Sequence, residues 1–404
     1  VQTPRKAALA FIFVAMVLDI IAFGIVIPVL PKLIESFVSG DTGRAAEYFG
    51  LFGTVWALMQ FVFSPLLGAL SDRFGRRPVL LISIAGLGLD YIFMALAPSL
   101  GWLFIGRMIS GMTAAGFATA AAYIADVTPP EKRAGAYGLV GAAFGFGFII
   151  GPALGGILGA TDPRLPFWVA GGLALLNALY GFFVLPESLP LDKRAPFVWA
   201  KANPIGSLKF LREHGELFSL ASVSFMYSLG HQVFPSVFVL WAGYVLKWDP
   251  KQVGMALAAV GVFSVIVQGG LVRPLVARIG QRRTLMVGGF FGTLGFAMYG
   301  FAGTVPMFWI AAIAYAPAGV FNPTLLGLLT KRVGPSEQGK LQGANASISG
   351  IGGMLGPGLF ALSFSWAIRP EATVHIPGLP FFLASALFGL AALIGWRATR
   401  NDLS

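Results

Sequence analysis

Twelve runs of mostly apolar residues divide this chain, each close to the length a helix needs to cross a bilayer. They lie near residues 7–31, 47–71, 78–98, 100–125, 134–160, 165–186, 215–244, 251–275, 282–302, 304–330, 337–366 and 378–397. About 20 apolar residues rising 1.5 Å each cover the hydrocarbon core. A backbone facing lipid must satisfy its own hydrogen bonds, so every run is predicted to be a helix. Only 11% of residues are charged and 56% are hydrophobic, where a soluble chain carries roughly 25% charged residues. With a mean hydropathy of +0.79, the chain has too little polar surface to cover a soluble globule. The first run carries Asp19, which sets it apart from a cleavable signal peptide.

A repeat organises these runs. Residues 68–77 read GALSDRFGRR, a dense charged loop between the second and third runs, and residues 276–283 read VARIGQRR in the same setting. Gly75 and Gly280 stand 205 residues apart, and Gly151-Pro152 and Gly356-Pro357 repeat at the same interval. Two landmarks sharing one offset indicate a duplicated half, an arrangement on which many transporters are built. The halves are predicted as six-helix bundles over 1–186 and 215–404, joined by a polar linker over 187–214. Within the linker, 204–213 reads as a short surface helix.

Placing both termini and the linker on one side collects 21 of the 28 Lys and Arg residues there. The other side holds Lys32, Arg44, Arg164, Lys247, Lys251 and Arg369, while Arg107 lies inside a span. Basic residues accumulate on the cytoplasmic face, so both termini are predicted to be cytoplasmic in an inner membrane. The net charge of +11 then reflects topology and anionic lipid rather than nucleic acid. With no cysteine and only three scattered histidines, neither a disulfide nor a metal site is expected.

Several stretches resemble known motifs. The 68–77 loop is similar to the signature loop of the major facilitator superfamily, and Arg107-Met-Ile-Ser-Gly111 to its span-four motif. The glycine-rich stretch 141–156 resembles the span-five motif of drug:proton antiporters. Leu18-Asp19, Pro28-Val-Leu-Pro31, Leu89-Asp90-Tyr91 and Ile124-Ala-Asp126 resemble the tetracycline efflux branch. The resemblance implies an all-α major facilitator fold of two pseudo-symmetric six-helix bundles. It further implies alternating access and proton-coupled export of amphipathic drugs. The sequence departs from the branch at two places. Ser264 stands where those exporters carry a span-eight histidine, and span nine, from Thr284 to Ala302, has no acid.

The ionisable residues carry the chemistry. Asp19 and Asp90 each lie about 12 residues into a span, near mid-membrane, with Arg107 in span four. A charge at that depth costs at least ~2.5 kcal/mol and marks a pathway, a relay or a partner. These three are the expected proton-coupling residues, the alternative being a static ion pair. Asp72, Arg73, Arg76, Arg77 and Asp126 are the expected gating latch. Acids at helix C-termini oppose the helix dipole and call for nearby cations. Ordinary positive-inside anchoring is the alternative for Arg76 and Arg77. Gly151-Pro152 and Gly356-Pro357 are expected to interrupt helices, as hinges or as packing kinks. In the second half, Tyr227, His231, Gln232, Phe234, Gln268, Phe321, Asn322 and Asn345 are candidates for substrate contact. A lone intramembrane amide serves equally as glue between helices.

No G-x-x-x-x-G-K-[ST] loop is present, so direct drive by ATP is not expected. Nothing in the sequence suggests an enzyme, a metal or a bound cofactor, and the expected coupling ion is the proton. The expected partners are a small-molecule substrate and the lipid bilayer, with a monomer as the functional unit. Two rival readings remain at this point. One is proton-coupled uptake of a metabolite or siderophore-like nutrient, the other an uncoupled receptor or lipid-handling membrane protein.

Overall fold

Some helices turn bulky side chains outward and small ones inward, the reverse of a soluble helix. Helix α8 (Leu165–Val184) shows this best. Its buried face is Pro166, Ala170, Gly171, Ala174, Asn177 and Gly181 with Phe167. Phe183 on the opposite side is 75% exposed. Small residues let helices approach closely where lipid replaces water as the outer solvent.

The computed structural model describes residues 4–114, 116–129, 132–197, 206, 211, 215–334, 337–371 and 375–400. In the first sequence half the helices are α1 (Pro4–Val26), α2 (Leu30–Phe37), α3 (Thr42–Phe74), α4 (Arg76–Ala95), α5 (Leu100–Ala114), α6 (Gly116–Val127), α7 (Arg133–Thr161) and α8. In the second half they are α9 (Gly215–His231), α10 (Val233–Val245), α11 (Pro250–Ile266), α12 (Val272–Phe301), α13 (Val305–Tyr315), α14 (Phe321–Lys331), α15 (Gln338–Ala367) and α16 (Leu379–Ala398). Three of the predicted spans are each split into two helices: α1 and α2, α5 and α6, α9 and α10. A five-residue 3-10 turn, Ala316–Val320, joins α13 to α14 within another. The predicted surface helix over 204–213 lies almost wholly outside the described residues.

Among the described residues, eleven helical stretches are long and apolar enough to cross a membrane. The longest, Pro250–Phe301, contains two of the predicted spans. Its backbone breaks at Gly280, where φ is 80°, and splitting it there gives the twelve predicted crossings. The charged loops are therefore shorter than the sequence suggests. Asp72, Arg73 and Phe74 still belong to α3, and Gly75 alone separates it from α4.

The chain groups into two compact units. One comprises Val1–Phe37, Val55–Pro204 and Asp249–Ala258. In it, α1 lies along α7, and α4 along α8. A Cβ on Gly151 would stand 2.7 Å from the Gly24 Cα, and Gly155 lies against the Ile25 carbonyl. The glycines four apart on α7 thus form a seam with α1. The other unit comprises Val38–Thr54, Ile205–Trp248 and Ala259–Ser404. Its centre is aromatic, with Trp241, Tyr299, Phe308 and Phe381 in mutual contact.

Helices α7 and α15 run continuously through Pro152 and Pro357, so neither proline interrupts its helix as expected from sequence. Each proline removes one backbone donor, and the loss is absorbed within a long helix. Both prolines meet glycine-rich helix surfaces in their own unit. Pro152 packs against Gly24 and its carbonyl lies at Gly254, while Pro357 packs against Gly50 and Gly53.

The N-terminal part of α3 is fastened to α15 by Thr54 Oγ1, which donates to the Met354 carbonyl at 3.0 Å. A Cβ on Gly358 would stand 3.5 Å from that same hydroxyl, within reach of a disulfide. Replacing Thr54 and Gly358 by cysteine in this cysteine-free chain should give a spontaneous internal disulfide. Labelling with a polyethylene-glycol maleimide after mild oxidation should then find no free thiol. Two labelled thiols per chain would contradict this packing.

Candidate functional site

Helices α1, α4 and α5 bring the deep ionisable groups of the first unit together. Asp90 is 2% exposed, and one carboxylate oxygen accepts a hydrogen bond from the Ser110 hydroxyl. Ser110 belongs to the Arg107-to-Gly111 motif on α5, so the motif supplies the partner of Asp90 directly. Gly106 makes room for the carboxylate: a Cβ there would lie 3.2 Å from Asp90 Oδ1. The Arg107 guanidinium is stacked over Trp56 of α3, 5.4 Å from the ring centroid. Gly111 presses against the Trp56 backbone one turn later. The motif therefore places Arg107 against α3 and Ser110 against α4 in a single helical turn.

Asp19 lines a small cleft in the first unit, with Ser83 and Thr113 among the polar members of its wall. Met16, Leu80 and Leu87 supply apolar wall. Asp19 Oδ1, Asp90 Oδ1, Arg107 Nε and the Tyr91 hydroxyl are all buried without a hydrogen-bond partner. The Tyr91 hydroxyl lies in electrostatic range of Asp19, Arg107 and Asp90. Buried polar groups are ordinarily satisfied, which sets this cluster of four atoms apart as the candidate site.

At the Gly75 end, Arg76 gathers the acids. Its guanidinium is 2.5 Å from Asp72 and 3.1 Å from Asp126, and it donates to Ser71 Oγ at 2.6 Å. This ties the last turns of α3 and α6 to the first turn of α4 and supplies the cation that acids at helix C-termini require. Arg77 faces elsewhere, donating to the Phe182 carbonyl and lying over the Phe182 ring. Arg73 is exposed beside Phe74.

Two features of this end had no local signal. Glu187 Oε1 accepts from the Arg76 amide across 111 residues of sequence. Ser188 Oγ donates to Asp126 at 3.1 Å. Elsewhere, Glu47 accepts from Ser365 Oγ at 2.7 Å and from Arg369 at 3.1 Å, and Arg164 donates to the Ala95 and Ala97 carbonyls at the end of α4. Such pairs depend on residues far apart in sequence, so periodicity does not reveal them.

The second-half candidates are dispersed. Phe321 is fully buried and stacked on Tyr227, and Phe234 is a hub of the aromatic core. Asn345 joins helices by accepting from Ser224 Oγ at 2.5 Å. His231 is exposed at the α9–α10 break, 5.7 Å from the Tyr227 ring, and the adjacent Gln232 packs on Gly356. Asn322 is exposed on α14. Gln268 donates to Ser264 at 2.7 Å beside a π-helical turn, Val267–Leu271. Such turns recur at functional sites.

Membrane-length helices enclosing unpaired acids and a guanidinium, with an ion-paired cluster at one end, fit a multi-pass membrane transporter. Residues 12–357 and 220–400 match the Major Facilitator Superfamily profile. The tetracycline resistance protein, class C, of Escherichia coli is 37% identical over 94% of both chains. The class G protein of Vibrio anguillarum is 38% identical over 91% of this chain and 93% of its own. The chain belongs to the Major Facilitator Superfamily, in its tetracycline efflux branch. The fold matches the human organic anion transporter MFSD10 with a TM-score of 0.72 over 97% of this chain and 99% of that one, at 24% identity. A bacterial homologue of the human lysosomal transporter Spinster gives 0.77 over 98% and 97%, at 18% identity.

The Arg76–Asp126 contact makes a measurable prediction. Unfolding of Arg76→Ala, Asp126→Ala and the double variant in detergent should give a coupling of about 1 kcal/mol, kept low by partial exposure. Strict additivity would show that the two side chains do not act together.

Proposed function

We propose that this protein exports tetracycline-like amphipathic drugs across the inner membrane in exchange for protons. The observation that carries this reading is the network of orphaned polar atoms around Asp19, Asp90 and Arg107. A carboxylate there is costly when charged and unpaired, so gaining or losing a proton changes which neighbours it tolerates. Asp19, on the wall of a cleft, is the proposed exchange site. Asp90, held by Ser110 and flanked by Arg107, is the proposed second station. The likeness to the tetracycline resistance proteins supports drug efflux as the direction of transport. The uneven distribution of Lys and Arg supports cytoplasmic termini, with the Arg76 latch on the cytoplasmic side.

In this reading Arg76 holds α3, α4 and α6 together in one access state and releases them in the other. The second half contributes polar and aromatic contacts, with His231, Asn322 and Gln268 the proposed substrate-facing groups. Ser264 replaces a histidine of the branch, which favours a substrate range shifted from that of the relatives.

A susceptibility and accumulation panel tests the proposal. Cells carrying the protein should accumulate several-fold less tetracycline than cells without it, and an uncoupler should erase the difference. Asp19→Asn should abolish resistance while the protein is present in the membrane at wild-type amount. Full resistance with Asp19→Asn would remove Asp19 from the mechanism.

A further inference from the structure

The segment that leaves α8 does not run free. Tyr123 donates its hydroxyl proton to the Pro186 carbonyl at 2.9 Å. Glu187 Oε1 accepts from the amides of Arg76, Ser188 and Leu189 at 2.9, 2.9 and 3.0 Å. Ser188 reaches Asp126, and the Ala195 amide donates to the Asp72 carbonyl at 3.1 Å. Arg194 stands 3.8 Å from Glu187 Oε2. Residues 186–195 are thus joined to α3, α4 and α6, the three helices that Arg76 connects.

The fit depends on both partners. Gly75 has φ 106°, a conformation that side-chain-bearing residues avoid. A Cβ there would collide with the Glu187 carboxylate. Glycine therefore makes the turn and also clears the space in which the acid caps α4. A carboxylate at a helix N-terminus accepts amides that have no intrahelical partner and is favoured by the helix dipole. Three donors on one oxygen fix its position, and through the Arg76 amide they fix the base of the Arg76 side chain.

We propose that Glu187 is a positioning residue for the latch. It clamps the start of the connecting segment to the first residue of α4, and so holds Arg76 in line with Asp72 and Asp126. The role rests on the latch reading above. It adds that the segment leading to the second half is part of the latch. Displacement of that segment is passed through Glu187 to Arg76. The corresponding turn in the second half is built otherwise. Gln281 stands where Arg76 would be, and Arg332 fastens that unit by donating to the Ala398 carbonyl at 2.8 Å.

Hydrogen exchange on the full chain in detergent tests this without a substrate. Glu187→Ala should speed exchange over residues 72–80 by about tenfold, as expected when a charged hydrogen-bond acceptor is lost. Arg76→Ala should do the same, and the double variant should go no further. Glu187→Gln, whose amide oxygen still accepts, should restore most of the protection. In proteoliposomes Glu187→Ala should lower kcat with little change in KM or unfolding temperature. Wild-type exchange in Glu187→Ala would overturn the proposal, and so would an additive increase in the double variant. Because exchange is read without drug, failure of the efflux reading would leave this result standing.

Discussion

A carboxylate inside a membrane bundle is stable only if it is protonated, paired or wetted, and in the first unit these conditions are only partly met. Asp90 has a hydroxyl on one oxygen and nothing on the other, and Asp19 Oδ1 has no partner at all. The surrounding architecture follows from accommodating these groups. A Cβ on Gly106 would collide with Met94 and crowd Asp90. Arg107 is stacked on Trp56 rather than locked in a salt bridge, so its charge influences Asp90 without neutralising it. A fully paired network would rigidify the bundle; an unfinished one can change state.

The charge cluster at the Gly75 end is complementary to this. Its acids Asp72, Asp126 and Glu187 are each bound, to Arg76, to a backbone amide or to a hydroxyl. Its counterpart 205 residues later has diverged at each point: Asp72, Arg76 and Asp126 correspond to Ala277, Gln281 and Lys331. Gln281 keeps a buried oxygen without a partner. Duplication preserved the helices and the glycine turn, while the charge chemistry remained in one copy. The second copy instead holds an aromatic core centred on Phe234, Tyr299 and Phe381, whose energetics are those of packing.

Much of the helical architecture was legible in the sequence because hydrophobic length acts locally. Most predicted spans coincide with helices to within a few residues, though the first runs on to Phe37, the second begins at Thr42, and two merge into Pro250–Phe301. The motif at Arg107 was legible as a depth but not as a contact: that Ser110 would partner Asp90 depends on how α4 and α5 are rotated. Glu187 read as the first residue of a polar linker, and only the turn at Gly75 shows what it caps. Prolines 152 and 357 read as interruptions, yet each lies inside a continuous helix of about thirty residues and packs against glycines of a neighbouring helix. Asn345 was open between substrate and packing, and its bond to Ser224 became visible only once α9 and α15 were seen side by side.

The central claim is that the unfinished acid network of the first unit exchanges protons against a transported drug. Simultaneous recording of proton and tetracycline flux in proteoliposomes containing only this protein tests it most directly. The account predicts that a drug gradient alone drives protons in the opposite direction, and that the proton flux disappears in Asp19→Asn. Tetracycline flux through the wild-type protein with no accompanying proton movement would contradict it.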